Sequence, residues 1–230
     1  MVGGFRAAHF NMGDNIRAVL NVTLGEDEYS CEKAEYSVRD YCANQLDGTE
    51  DGKLIALLSD LLTYGAASQT YTGYHTDSLV TDGLDLTPSA FAALEGKKVS
   101  FTGDRNADID WCSATLVLSN DLATRFTFTA DSIDGLAVEV SINGRTQTFT
   151  EFTDLGSGRY CITFDGIKAT EFDDAVTAIF KRSGEPVGRT VSYSVNTYIC
   201  GTQNCGNANL EALVKALYNY GASAKAYAGK

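Results

Sequence analysis

The sequence predicts an α+β fold in which an antiparallel β-sandwich packs against amphipathic helices that arise from an internal repeat. Two observations support this prediction. A tyrosine-rich helical pattern occurs twice in the 230 residues, at 54–71 and again at 210–227. The residues between the two copies form short alternating runs separated by Asp, Gly and Asn, which is typical of antiparallel strands joined by turns. The hydrophobic content of 44% supplies enough apolar side chains for a substantial core.

The first copy begins with a strand, which we predict from the alternating apolar residues Ile16, Ala18, Leu20 and Val22. A loop and a Tyr-Ser-Val segment at 36–38 follow. The stretch 54–71 then places apolar residues at the i, i+3, i+4 and i+7 spacing of an amphipathic helix, and Gly73 stands where a C-capping glycine belongs. We assign residues 1–75 to a partial repeat unit.

Both helices contain a Tyr-Gly-Ala step at the same register, with Gly65 in the first copy and Gly221 in the second. Glycine in a helix interior costs about 1 kcal/mol relative to alanine. A helix that accepts this cost at the same place twice is expected to need a close backbone approach there. Four tyrosines also repeat, and we expect Tyr64, Tyr71, Tyr220 and Tyr227 to pack the helices against the sandwich.

Residues 76–230 are predicted to hold the β-sandwich followed by the second repeat copy. A turn-rich connection at 76–86 leads into six or seven short strands between Lys98 and Phe164, with a hairpin signal at Asn143-Gly144. The pattern "FDDAVTAIF" from Phe172 then resembles "MGDNIRAVL" from Met12, and a second Tyr-Ser-Val segment precedes the second helix. No proline-rich linker separates the parts, so we expect one compact unit.

The composition argues against several classes of partner. A formal charge of -12 disfavours nucleic acid, because phosphate binding needs clustered Lys and Arg. No stretch approaches the roughly 20 apolar residues that span a bilayer. The six cysteines are Cys31, Cys42, Cys112, Cys161, Cys200 and Cys205. Cys200 and Cys205 are close enough in sequence to pair with each other, but we favour buried or loop thiols over disulfides or a zinc site.

Signs of catalysis are few, and we expect neither an enzyme nor a cofactor. The common hydrolase, metalloprotease and nucleotide-binding motifs do not occur, and the two histidines have no recognisable catalytic neighbour. The alternation of Asp104, Asn106, Asp108 and Asp110 has some likeness to a calcium loop. However, Ile109 and Thr115 stand where the glycine and glutamate of such a loop belong. We therefore interpret this segment as an acidic turn.

The order of these motifs carries a resemblance to a known family. The stretches "YSVRDYCANQL", "LLTYGAASQTYTGYHTDSLV", "WCSATLVLS" and "LVKALYNYGASAKAY" are similar to modules of starch-adherence proteins of the bacterial amylosome, in gut Firmicutes. The resemblance implies a non-catalytic module in which a β-sandwich and helices bind α-glucan. It further implies an extracellular, secreted or cell-surface location within a longer multimodular protein. No leader peptide is visible, in keeping with a segment taken from such a protein.

Sugar binding requires flat aromatic faces together with planar or charged hydrogen-bonding side chains. Strict alternation along 111–119 would place Trp111, the only tryptophan, on the Ser/Thr-rich face and away from the core; alternatively, a helix covers that face. Tyr74 and Tyr218 depart from the repeat pattern, so their rings are harder to explain as part of the shared scaffold. We therefore propose a shallow groove lined by six residues: Trp111, Tyr74, Tyr218, Arg105, Asn106 and Asp108. The predicted ligand is starch or maltooligosaccharide, and the alternative function is a structural or adhesion spacer.

Overall fold

A computed structural model describes residues 9–16, 19–24, 27–32, 36–118 and 122–229. It confirms the α+β fold, with sheets packed against helices. The strands are β1 Val19–Leu24, β2 Asp27–Glu32, β3 Ser100–Thr102, β4 Ile109–Leu118, β5 Leu122–Ala130, β6 Leu136–Ile142, β7 Arg145–Phe149, β8 Thr153–Gly156, β9 Arg159–Phe164, β10 Val176–Arg182 and β11 Glu185–Tyr193. The helices are α1 Val38–Gly48, α2 Gly52–Thr72, α3 Val195–Thr202 and α4 Ala208–Tyr227, with a short 3-10 helix at Ala169–Glu171.

The strands form three antiparallel sheets within the described part of the chain. One has five strands in the order β3-β11-β10-β6-β7, a second has four in the order β4-β5-β9-β8, and β1 pairs with β2 as a two-stranded hairpin. The larger sheets face each other across an apolar core. Phe126 and Phe128 of β5 and Phe180 of β10 are fully buried in it. The predicted turn at Asn143-Gly144 joins β6 to β7, with both residues at positive φ.

Trp111 is part of this core, so the expectation that its ring points away from the core is wrong. Its ring is only 4% exposed and stacks on Phe180 of the opposite sheet, with centroids 3.8 Å apart. The reason is a β-bulge: Trp111 pairs with Phe128 whereas Ser113 pairs with Thr127, which leaves Cys112 as the extra residue. The bulge reverses the inward and outward alternation, so that Trp111 and Leu116 both face inward.

The two repeat copies have the same layout of elements. In the first, Ile16 bridges Tyr36 and the Ser37 hydroxyl accepts a hydrogen bond from the Asp40 amide to cap α1. In the second, Val176 pairs with Tyr193 and Ser194 caps α3 in the same way. Each unit is thus a hairpin followed by two helices, whereas the sequence prediction had a single strand, a loop and one helix. Of the predicted first strand, Ala18 lies outside the described residues.

The repeated glycines lie at close contacts, as the sequence predicts. A Cβ on Gly65 would come within 3.0 Å of Met12 Sδ and Val80 Cγ2. A Cβ on Gly221 would overlap the ring of Phe172, the repeat counterpart of Met12. The tyrosines behave differently from the prediction. Tyr64 and Tyr220 pack against each other between α2 and α4, whereas Tyr71 and Tyr227 are 40% and 48% exposed. Tyr64 and Tyr220 therefore pack helix against helix, and Tyr71 and Tyr227 remain largely at the surface.

An extended segment at 84–96, named here the strap, crosses the helix pair on its way to the sandwich. The carboxylate of Asp60, fully buried on α2, accepts hydrogen bonds from the Ser89 amide and hydroxyl at 2.7 Å each, and from the Ser223 hydroxyl on α4. Further along, Gln203 bonds both the amide and the carbonyl of Leu94. In the part of the chain that the structure describes, no helix has the length and apolar character needed to cross a bilayer.

Candidate functional site

The six residues proposed from the sequence fall into three groups with different neighbours. Arg105, Asn106 and Asp108 precede β4, close to the core ring of Trp111. Tyr218 lies on α4, where its ring packs edge-on against Phe91 of the strap. Tyr74 follows the end of α2. The single groove that the sequence suggested is therefore not assembled from these residues, and each group has its own chemistry.

The loop before β4 uses its polar side chains to fix its own shape. The Asn106 side chain accepts a hydrogen bond from the Asp108 amide at 2.9 Å, which is an Asx turn. Asp110 receives two hydrogen bonds from Arg189, at 2.7 and 2.8 Å, and Arg105 lies 3.5 Å away. The indole N–H of Trp111 donates to the Arg189 carbonyl at 2.7 Å. These contacts link the turn to the core, and the Arg105 side chain is the outer member of the cluster, with 76% of it exposed.

Tyr218 borders a small cavity of about 150 Å³ beneath α4. Phe172, Asp173, Asn196 and Lys225 also line it. Lys97 donates to Asp173 at 2.6 Å, and this hydrogen bond, with a weaker one from Asn196, holds the pKa of Asp173 below its usual value. The carboxylate in this cavity thus already has a cationic partner from the chain itself.

Tyr74 occupies a different setting, just after the C-terminal end of α2. Its hydroxyl donates to Asp14 Oδ2 at 2.7 Å, and this hydrogen bond raises the pKa of the phenol. Its ring stacks on His75 with centroids 4.2 Å apart and planes 18° from parallel. Phe10 packs on it edge-on at 5.3 Å. Because the His75 side chain is 60% exposed, the imidazole presents the accessible face of this aromatic stack.

Beside this stack lies an open cavity of about 430 Å³, named here the polar crevice. Its wall comes from the loop before β1, the first turn of α1, the end of α2 and the loop that follows α2. The lining residues are Gly13, Asp14, Asn15, Ser37, Arg39, Asp40, Gln69, His75, Ser78, Leu79, Val80 and Asp82.

Backbone contacts hold the walls of the polar crevice in place. Arg39 donates through Nε to the Val80 carbonyl at 3.1 Å and through Nη2 to the Asp82 carbonyl at 2.6 Å. The Gln69 side chain accepts from the Val80 amide at 2.9 Å and donates to the Ser78 carbonyl at 3.1 Å. The loop after α2 is therefore fixed on two sides, so the crevice is a preformed feature of the fold.

The crevice concentrates planar polar groups of both charges. Asp14 Oδ1 lies 3.7 Å from His75 Nδ1, and Arg39 Nη1 lies 3.8 Å from Asp40 Oδ1. Carboxylates accept hydrogen bonds from hydroxyl groups of a ligand, and guanidinium and imidazole N–H groups donate hydrogen bonds to hydroxyl oxygens. Among the described residues, no group of three or more His, Cys, Asp or Glu side chains is arranged to hold a metal ion. The arrangement suits a neutral ligand rich in hydroxyl groups.

The polar crevice and the cavity beside Tyr218 occupy equivalent places in the two repeat copies. Arg39 corresponds to Asn196, and the Arg39 amide donates to the Met12 carbonyl just as the Asn196 amide donates to that of Phe172. Gln69 corresponds to Lys225. The space in the first copy is larger, about 430 against 150 Å³.

Sequence reasoning found Tyr74 but missed its polar neighbours Asp14, Arg39, Asp40 and His75. A usable signal existed in the repeat itself. At positions where the scaffold is duplicated, Arg39 and Gln69 replace Asn196 and Lys225, and such differences mark the copy that has gained separate chemistry. His75 is marked only in the structure, where its φ of 47° is uncommon for a non-glycine residue.

We compared the chain with models of protein families, with curated proteins and with solved structures, and none of them matches it.

Proposed function

We propose that the chain is a non-catalytic carbohydrate-binding module that binds starch or another α-1,4-glucan in the polar crevice. The observation that carries this proposal is the juxtaposition of the Tyr74–His75 stack with the carboxylate of Asp14. An aromatic face packs against the C–H groups of a pyranose ring, and a neighbouring carboxylate accepts hydrogen bonds from its hydroxyls. The 2.7 Å bond from Tyr74 to Asp14 fixes the two groups relative to each other.

The glucan class rests on the resemblance of the chain to starch-adherence modules, and the crevice is compatible with it. Its volume of about 430 Å³ suits one or two sugar rings rather than a long chain. We expect modest affinity, because an open crevice leaves the ligand partly hydrated and each stacked ring contributes only on the order of 1 kcal/mol. Such a module acts by proximity, keeping attached partners close to insoluble starch.

One observation favours the alternative function of a structural or adhesion spacer. Trp111, Tyr64 and Tyr220 are rings of the kind that sugar sites use, but packing within the fold takes up all three. In a spacer, the same rings serve only rigidity, and the polar crevice is a solvated surface without a ligand.

Affinity electrophoresis separates the proposed functions. The chain is run through native gels that contain starch, barley β-glucan, xylan or no polysaccharide. Retardation in starch alone supports the glucan proposal, and equal mobility in all four gels supports the spacer. Release of reducing sugars from starch during the same incubation would contradict a non-catalytic role.

A further inference from the structure

The two repeat hairpins differ in their surroundings, although they correspond element by element. In the second copy, β10 pairs with β6 along one edge while β11 pairs with β3 along the other. In the first copy, β1 and β2 pair only with each other within the described ranges. Among the described residues, no strand pairs with the outer edge of β1, whereas β6 pairs with the same edge of its counterpart β10.

A buried residue of the second copy shows the same difference. Tyr193 at the end of β11 is 6% exposed and belongs to the core that includes the sandwich. Its counterpart Tyr36 is 45% exposed. Within the described ranges, no further sheet strands flank the first hairpin as they flank the second, and Tyr36 is the more exposed of the two rings.

The two strands of the first hairpin, β1 and β2, are not equally protected against pairing with a further strand. β2 reads Asp-Glu-Tyr-Ser-Cys-Glu and carries three acidic residues, a common means by which edge strands avoid pairing. β1 reads Val-Leu-Asn-Val-Thr-Leu and carries no charge. An uncharged edge strand is a template for a further strand. The uncharged strand β1 is also the counterpart of β10, the strand with which β6 pairs in the second copy.

We propose that the outer edge of β1 is a docking site for one strand of a second β-sandwich, added antiparallel as β6 is added to β10. The partner is a sandwich that contains equivalents of β6 and β7 but lacks its own hairpin equivalent to β10 and β11. The internal repeat gives the register: Ile179 pairs with Glu139 and Phe180 with Val138, so Val19 and Leu20 take the corresponding places. The sheet on the other side of that sandwich then covers Tyr36.

A peptide that copies β6 and β7 tests this site on the intact chain. The probe is a labelled synthetic peptide with the sequence of residues 135–150, which retains the Asn-Gly turn. The matched control peptide carries Val138→Pro and Val140→Pro, because proline removes the backbone N–H groups that a ladder needs. We expect saturable binding of one probe per chain and none of the control. Amide exchange in residues 19–24 should slow by about tenfold or more, with no change in 176–182.

Three results would overturn the proposal. The first is failure of the probe to bind at high micromolar concentration. The second is slowed exchange in β10 instead of β1, which would mean that the peptide displaces the chain's own β6. The third is concentration-dependent dimerisation of the chain alone, with slowed exchange in 19–24, because the edge would then be filled by a second copy. None of these results bears on starch retardation, so the two proposals can fail separately.

Discussion

Tyr64 and Tyr220 occupy the same position in the two repeat copies and stack on each other, with ring planes 7° from parallel and centroids 5.9 Å apart. The repeat is therefore a means of making an interface with itself: α2 and α4 meet along equivalent faces. Burial raises the pKa of both phenols, since their charged forms are poorly solvated there. The pairing explains why the helical pattern is duplicated, and it leaves the ends of the helix pair free to differ.

The repeated glycines give the first prediction. Replacing Gly221 by Ala should lower the free energy of unfolding by about 1–3 kcal/mol, because three ring atoms of Phe172 lie at 3.0 Å or less from the new Cβ. Gly65→Ala should cost less, since the Met12 thioether is flexible. Urea denaturation measures both. The control is Gly201→Ala in α3, where no atom lies within 4 Å and the change should be neutral or stabilising. Equal stability of the Gly221 and Gly201 variants would contradict the packing described.

The buried carboxylate of Asp60 gives a second prediction. Asp60→Ala should destabilise the fold by about 3 kcal/mol, because Ser89 and Ser223 lose their acceptor inside a buried site. Ser223→Ala alone should cost about 1 kcal/mol. The variant with both substitutions should lose less stability than the sum of the two single losses. Denaturation of the wild type, the two single variants and the double variant measures this difference. Strict additivity would mean that the strap and α4 do not share this carboxylate.

Stability at alkaline pH gives a third prediction. Burial raises the pKa of the Cys42 thiol from 9.0 to about 11. Between these values the unfolded chain releases a proton that the folded chain retains. The contribution of this thiol to the free energy of unfolding is therefore complete below pH 9 and is lost as the pH rises to 11. The loss should amount to about 2–3 kcal/mol.

Cys42→Ala should reduce the pH dependence of unfolding between pH 9 and 10, whereas Cys112→Ala, at an exposed position, should leave it unchanged. Denaturation curves across pH 8–11 provide the measurement. Above pH 10 the buried phenols, Tyr193 among them, add their own loss in every variant. An unchanged slope in Cys42→Ala would show that this thiol does not titrate as described.

The only tryptophan gives a fourth prediction. Trp111 is in the sandwich core, so its fluorescence should be blue-shifted and resistant to acrylamide quenching. Saturating maltoheptaose should leave its emission unchanged, because the polar crevice is built from other residues. A shift in emission on adding the sugar, without any change in thermal stability, would mean that the ligand contacts the sandwich instead.

The sequence predicted the parts of this fold whose pattern is local. The i, i+3, i+4 rhythm identifies α2 and α4, Asn143-Gly144 identifies a hairpin, and the duplicated Gly65 and Gly221 indicate close contacts that the structure contains. Trp111 shows the limit. The extra residue Cys112 in β4 reverses the inward and outward alternation of the strand. Composition does not reveal this bulge, because it arises where β4 pairs with β5.

The candidate site was less predictable, because it joins distant segments. Asp14 and Tyr74 are 60 residues apart in sequence and meet only after α2 has packed beside the loop before β1. The departures of Tyr74 and Tyr218 from the repeat were a sound indication of special positions. Tyr218 lines one cavity, however, whereas Tyr74 lies beside another through its contacts with Asp14 and His75. That distinction requires knowledge of how the copies are arranged.

The most direct test of the glucan proposal is the mobility of matched tyrosine variants in starch gels. Tyr74→Ala removes one ring of the stack and the hydroxyl that orients Asp14, while Tyr41→Ala removes a 49% exposed ring of α1 outside the polar crevice. Denaturation first establishes that both variants are folded. We expect starch to retard the wild type and Tyr41→Ala equally, and Tyr74→Ala to migrate as it does without starch. Undiminished retardation of Tyr74→Ala, or no retardation of the wild type, would contradict the glucan proposal.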